Sequence, residues 1–87
     1  MTLALCPDVS ATDTTDGMVL LDEATGRYWQ LNGTAALILR DLLDGVSPQR
    51  AAHRLAHRYP ALSTERTTTD VASLIHSLCT ARLVMPV

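Results

Sequence analysis

The segment from Gly17 to Asn32, GMVLLDEATGRYWQLN, constrains this chain more than any other. Residues 19–21 and 28–31 are apolar and β-prone, and the residues between them have turn chemistry. Gly26 is free to take a positive φ there. Pairing Asp22 with Arg27 sets Leu21 opposite Tyr28, Leu20 opposite Trp29, Val19 opposite Gln30 and Met18 opposite Leu31. Residues directly opposite share a face of the hairpin. One face then carries Met18, Leu20, Trp29 and Leu31, and must be core. The other carries Val19, Leu21, Tyr28 and Gln30. It is too apolar for plain solvent, while Gln30 keeps it from being a second core.

Beyond the hairpin the chain turns helical. Asn32 is a good N-cap, and Ala35, Leu37, Ile38, Leu39, Leu42 and Leu43 make a broad apolar arc over about residues 33–44. Gly45 stands where a C′ glycine belongs. Ser47-Pro48 then pairs an N-cap with proline at the first helical position. The second helix runs to about Tyr59, with Ala51, Ala52, Leu55, Ala56 and Tyr59 as its apolar line and Pro60 as its stop. A third helix starts at Ser63 or one turn later, where Thr67-Thr68-Thr69-Asp70 has capping-box form. From Asp70 on, Val71, Leu74, Ile75, Leu78 and Cys79 recur at helical spacing. Leu83, Val84 and Met85 lie past the helix or in its last turn and are expected to fold back on the core.

Ahead of the hairpin the pattern weakens. Residues 1–7 read as an irregular arm, and residues 8–13 as a weak first strand. Thr14-Thr15-Asp16-Gly17 is a turn by composition. Three strands joined by short turns form an antiparallel meander, since parallel pairing needs a long crossover. The expected fold is therefore α+β and winged-helix-like: a three-stranded antiparallel sheet followed by three helices, in one domain spanning residues 1–87 with its core at about 8–85.

Eighty-seven residues bury one small core and leave little room for a deep cleft. With no Phe, that core must come from Leu, Val, Ala and Ile. The net charge is −2, and all seven basic residues are Arg, which argues against a dedicated nucleic-acid binder. No stretch reads as a signal peptide or a membrane span, so a cytoplasmic location is expected. In that compartment Cys6 and Cys79 form no disulfide framework, and Cys79 reads as a small buried hydrophobe.

No group of residues announces catalysis. His53 and His57 have the i, i+4 spacing of metal ligands, but three arginines crowd the same helix and no acid or cysteine lies near them in sequence. They read as a solvated face, and neither a metal nor a cofactor is expected. His76 and Cys79 are three apart on the third helix, yet nothing marks either as activated. There is no phosphate loop, no Gly-x-Ser-x-Gly and no supported carboxylate pair. The chain reads as a binding protein, not an enzyme.

The segment Leu21-Asp22-Glu23-Ala24-Thr25-Gly26-Arg27-Tyr28-Trp29-Gln30-Leu31-Asn32 resembles the PqqD-like family. So do the aliphatic first helix ending at Asp44-Gly45, the Ala-rich second helix and the Asp70-Val71 helix ending in Leu83-Val84. The similarity covers about residues 8–85. Arg-Tyr-Trp-Gln-Leu-Asn looks most like the stand-alone members of lasso-peptide pathways. Arg82 departs from the pattern, which often has a glycine before the final Leu-Val. The resemblance implies a recognition element for ribosomally made, modified peptides. It would bind the leader of a precursor peptide and present it to a separate leader peptidase of transglutaminase-like fold and to a cyclase. It also implies leaders with a tyrosine, a proline and a leucine at close spacing.

Physical reasoning supports the same role. A meander leaves the outer edge of its third strand unpaired, and an extended peptide can add there as a fourth strand. The expected peptide-binding residues are Arg27, Tyr28, Trp29, Gln30 and Leu31 on the strand, with Asp70, Val71, Leu74, Ile75 and Leu78 of the third helix as the opposite wall. Most of those helix residues are expected to be core, with one or two shared with the groove. The alternative is a winged-helix DNA-binding regulator using the third helix or Arg50, Arg54 and Arg58. Net acidity and the exposed Asp70, Ser73, Ser77 and Thr80 weigh against it.

Overall fold

The computed structural model describes residues 2–87. Three strands, β2 (Val9–Thr14), β3 (Gly17–Asp22) and β4 (Arg27–Asn32), form an antiparallel sheet in the order β2-β3-β4. A second, two-stranded sheet pairs β1 (Leu3–Leu5) with β5 (Val84–Pro86). Between β4 and β5 lie α1 (Gly33–Leu43), α2 (Pro48–Arg58) and α3 (Thr64–Thr80). The three-stranded sheet and the three helices are those expected from the sequence.

The hairpin register is also the expected one: Asp22 opposes Arg27, Leu20 opposes Trp29 and Met18 opposes Leu31. Gly26 adopts φ +75°, and its N–H donates to the Asp22 carbonyl at 2.8 Å. The Asp22 carboxylate accepts from the Ala24 N–H at 3.0 Å, an Asx turn that shapes the loop. Met18 and Leu20 are buried, and Trp29 and Leu31 pack half-buried against the same core. On the opposite face Leu21 and Tyr28 meet solvent.

Each helix begins on the residue that the sequence nominates. Asn32 accepts from the Ala35 N–H, Ser47 from the Arg50 N–H and Ser63 from the Arg66 N–H. For α3 this settles the start at the earlier of the two options. The threonines that form the rival cap lie inside the helix, where β-branched residues pack poorly. Their hydroxyls donate instead to carbonyls of the preceding turn, Thr67 and Thr68 to Thr64 and Thr69 to Glu65. Thr67 is thereby buried without an unmet polar atom.

The core joins all the layers: Leu20 from the sheet, Leu39 and Leu42 from α1, Ala52 and Leu55 from α2, Val71 and Leu78 from α3, and Leu83 and Val84 beyond it. Leu3 belongs to it as well. The expectation of an irregular amino-terminal arm is therefore corrected. Leu3 pairs with Pro86 and Leu5 with Val84, and the ladder is extended by Cys6 N–H to Leu83 and Val87 N–H to Thr2. A three-residue strand has too little periodicity to be read alone, and its partner lies at the other end of the chain.

Candidate functional site

Two edges of the three-stranded sheet are unpaired, those of β2 and β4. They differ in character. From Ser10 to Thr14, β2 offers Ser, Ala, Thr, Asp and Thr, which blunts an edge and provides no aliphatic anchor. β4 carries Arg27, Tyr28, Trp29, Gln30 and Leu31, and it ends beside a hollow. That hollow measures about 350 Å³ and is lined by Asn32, Thr34, Ala35, Ile38, Asp70, Ser73, Leu74 and Ser77. The amino-terminal half of α1 and one flank of α3 form its walls. The Arg27 guanidinium sits over the Trp29 ring, 4.7 Å from the centroid. This cation–π contact braces two neighbouring same-face positions of the edge strand. Asp70 faces Arg66 one turn earlier, at 3.9 Å, in an exposed and weak ion pair.

Residues 17–84 match the family model described as Coenzyme PQQ synthesis protein D (PqqD). The chain belongs to the PqqD family. Among solved structures, this PqqD-family chain is similar to one described as lasso peptide synthetase B1 complexed with the leader peptide. The TM-score is 0.92 at 42% identity, covering 99% of this chain and 100% of that one. It is similar in fold to TbiB1 in complex with the TbiA(beta) leader peptide. There the TM-score is 0.85 at 21% identity, covering 100% of this chain and 98% of that one. No match is found among curated proteins.

In this PqqD-family chain, the expected site residues fall into three groups. Arg27, Tyr28, Trp29, Gln30 and Leu31 lie together on the free edge, with Arg27, Tyr28 and Gln30 exposed and Trp29 and Leu31 half-buried. Asp70 and Leu74 line the hollow at the end of that strand. Val71 and Leu78 are buried in the core, and Ile75 lines a different cleft, on the α2 side of α3. Ser73, Ser77, Thr34, Ala35 and Ile38 complete the hollow and were not anticipated. The signal for Ser73 and Ser77 was available, since residues 70, 73, 74 and 77 form one helical stripe. The α1 residues carried none, because only the packing of α1 across β4 brings them there.

Among the described residues no cluster of three or more His, Cys, Asp or Glu could hold a metal ion. His53 and His57 are both exposed on α2, and Cys6 and Cys79 are free and half-buried. No helix among the described residues is long and apolar enough to cross a membrane.

Proposed function

We propose that this protein binds the leader segment of a ribosomally made precursor peptide, as a non-catalytic recognition element of a lasso-peptide pathway. The leader adds antiparallel to β4, alongside Arg27, Tyr28, Trp29, Gln30 and Leu31. The observation that carries the reading is the unpaired β4 edge leading into the hollow between α1 and α3. It is supported by the 42% identity, over essentially the whole chain, to a lasso peptide synthetase B1 whose structure holds a leader peptide.

The chemistry of such a site divides into two parts. Backbone pairing along β4 supplies affinity that is indifferent to sequence. Selectivity comes from alternate side chains of the guest, because successive residues of a strand point to opposite faces. One set turns toward the hollow between α1 and α3, where Leu74 offers apolar surface and Asp70, Ser73 and Ser77 offer polar partners. The other set turns to the outer face of the sheet beside Tyr28. Val71 and Leu78 hold the α3 wall in place from the core side. The bound leader is then presented to a separate leader peptidase and to the cyclase, where the chemistry takes place.

The test is leader affinity by fluorescence polarisation with a labelled leader peptide, with circular dichroism verifying the fold of each variant. Trp29→Pro removes a strand N–H and Leu74→Ala truncates the wall, and both are expected to weaken binding. Arg50→Ala combined with Arg54→Ala is expected to leave it unchanged. Loss of binding in the arginine pair, with folded β4 and α3 variants unaffected, would overturn this site.

A further inference from the structure

Backbone parity fixes which β4 residues a guest strand meets, and how. The Glu23 N–H donates to the Asp8 carbonyl at 2.8 Å, so the odd-numbered residues of β3 bond toward β2 and the even-numbered ones toward β4. Met18 and Leu20 therefore bond Leu31 and Trp29. That leaves Tyr28 and Gln30 with N–H and C=O groups turned to the open edge. A guest strand pairs with those two. Arg27, Trp29 and Leu31 then fall at the positions without guest hydrogen bonds, where facing side chains come closest. All three share the inner face of β4, so each meets one guest side chain directly.

The two ends of this row carry opposite charge. Arg27, at the turn end, is exposed and makes no ion pair among the described residues. Asp22 lies opposite it, but that carboxylate accepts from the Ala24 N–H, and the Arg27 guanidinium lies over Trp29. At the other end, Asp70 is the one charged side chain among the described residues that line the hollow, with Ser73 and Ser77 beside it. Its ion pair with Arg66, at 3.9 Å, is exposed and weak. The strand Arg27–Asn32 is six residues long, and Asn32 already lines the hollow. At about 3.4 Å per residue, Arg27 and the hollow are roughly 17 Å apart along a guest strand.

We infer that this opposed pair sets the register of the leader: Arg27 faces an acidic leader residue, and Asp70 faces a basic or hydrogen-bond-donating one about four to six positions nearer the leader's amino terminus. The inference rests on the leader-binding reading. The order follows from strand direction, because an antiparallel guest runs from the hollow toward Arg27. Even spacing keeps both guest side chains on the inner face. A spacing of about four sets the second one opposite Leu31, and about six carries it past the end of the strand into the hollow. Between them, an apolar residue lies opposite Trp29. Backbone pairing needs such a mark, since a slide by two residues preserves both the hydrogen bonds and the faces. A slid or reversed guest loses the matched charges. Both contacts are exposed, so they discriminate between registers and supply only a small part of the affinity.

The experiment measures binding of the full chain to a fluorescein-labelled synthetic leader of the same pathway's precursor, by fluorescence polarisation at low salt. Each leader position is changed in turn to Asp and to Lys, and the two affinities are compared for wild-type protein, Arg27→Glu and Asp70→Lys. With wild-type protein, one position is expected to favour Asp over Lys by about twofold to fivefold, and Arg27→Glu to invert the preference there alone. Asp70→Lys is expected to invert a preference for Lys at a second position, nearer the leader's amino terminus. If a second carboxylate beside Asp22 keeps Arg27→Glu from folding, as circular dichroism reports, Arg27→Gln takes its place and is expected to abolish the preference. A leader that still binds while either variant shifts no position would overturn the inference and leave the leader-binding reading standing. Two responsive positions in the opposite order would overturn it as well. A leader that fails to bind the wild-type chain would overturn both.

Discussion

Gly45 and Arg82 occupy equivalent positions in two copies of one helix-ending motif. After α1, the Val46 N–H reaches the Asp41 carbonyl at 2.9 Å and the Gly45 N–H reaches Leu42 at 3.2 Å. After α3, the Leu83 N–H reaches Leu78 at 2.9 Å and the Arg82 N–H reaches Cys79 at 3.0 Å. Both are Schellman motifs, and both need a left-handed residue at C′. Gly45 meets that need at φ +89° and Arg82 at φ +60°. Arg82 is also where the family pattern often has glycine, so the departure in sequence leaves the backbone conformation intact.

A left-handed residue with a Cβ costs on the order of 1 kcal/mol, so Arg82→Gly should stabilise the fold by about that amount. Gly45→Ala should lose a similar amount, since nothing lies within 4 Å of the added Cβ and only the conformation is penalised. Urea denaturation checks both, and for a domain of this size about 1 kcal/mol corresponds to a melting shift of roughly 4–8 °C.

Gly17 is held by space instead. A Cβ there would fall 1.9 Å from the Leu31 carbonyl oxygen, which is backbone and has no rotamer to yield. Gly17→Ala should therefore destabilise the protein by roughly 1–3 kcal/mol or more, the scale of overpacking a tight site. Leader affinity should fall with it, because the strand that must shift is β4. Thermal melting and fluorescence polarisation on the same sample check the two effects together.

Leu74 and Val71 are neighbours on α3 with different expected phenotypes. Leu74→Ala should weaken leader binding by about 1–3 kcal/mol where a guest side chain packs against it. Val71, 1% exposed, should instead lower stability when cut to alanine, by about 1–3 kcal/mol, with a smaller effect on affinity in the folded fraction. Denaturation and binding curves for the pair separate wall from core.

Leader binding should be nearly flat in salt between low and physiological ionic strength, because backbone pairing and apolar contact dominate. A DNA regulator neutralising several phosphates would lose orders of magnitude over the same range. A polarisation titration at several salt concentrations distinguishes the two, and a steep slope for the leader would contradict strand addition as the main source of affinity.

Truncating Leu3 to alanine should cost about 2–5 kcal/mol, as for other buried leucines, although it lies close to the amino terminus. Chemical denaturation is the check.

Local chemistry in the sequence was sufficient for much of the fold. The β3–β4 register came from the apolar alternation of residues 18–31, and the first two helix starts from Asn32 and Ser47; for the third, Ser63 and the Thr67–Asp70 capping box competed until the structure placed the cap at Ser63. Whatever depends on distant pairing was not legible. The Leu3–Leu5 strand has no identity until Val84–Pro86 lies beside it. At the site, the edge strand was readable because β propensity and the flanking turn and cap are local properties. The division of α3 into wall, seam and second cleft was not, because Val71, Leu74 and Ile75 look alike in sequence and differ only in what packs against them. Ile38 and Ala35 enter the hollow through the crossing of α1, which no periodicity encodes.

The β1–β5 ladder brings Thr2 and Val87 within one hydrogen bond of each other, at 2.9 Å. The two ends of the described chain therefore leave the fold side by side, as a pair of antiparallel strands. A unit with that property can be spliced into a surface loop of another protein without being pulled open, since the host needs only two adjacent attachment points. It can equally be tethered by either end with its β4 edge held in the same place. Fusing this unit to another protein, at its head, at its tail or within a loop, is in geometric terms a single operation.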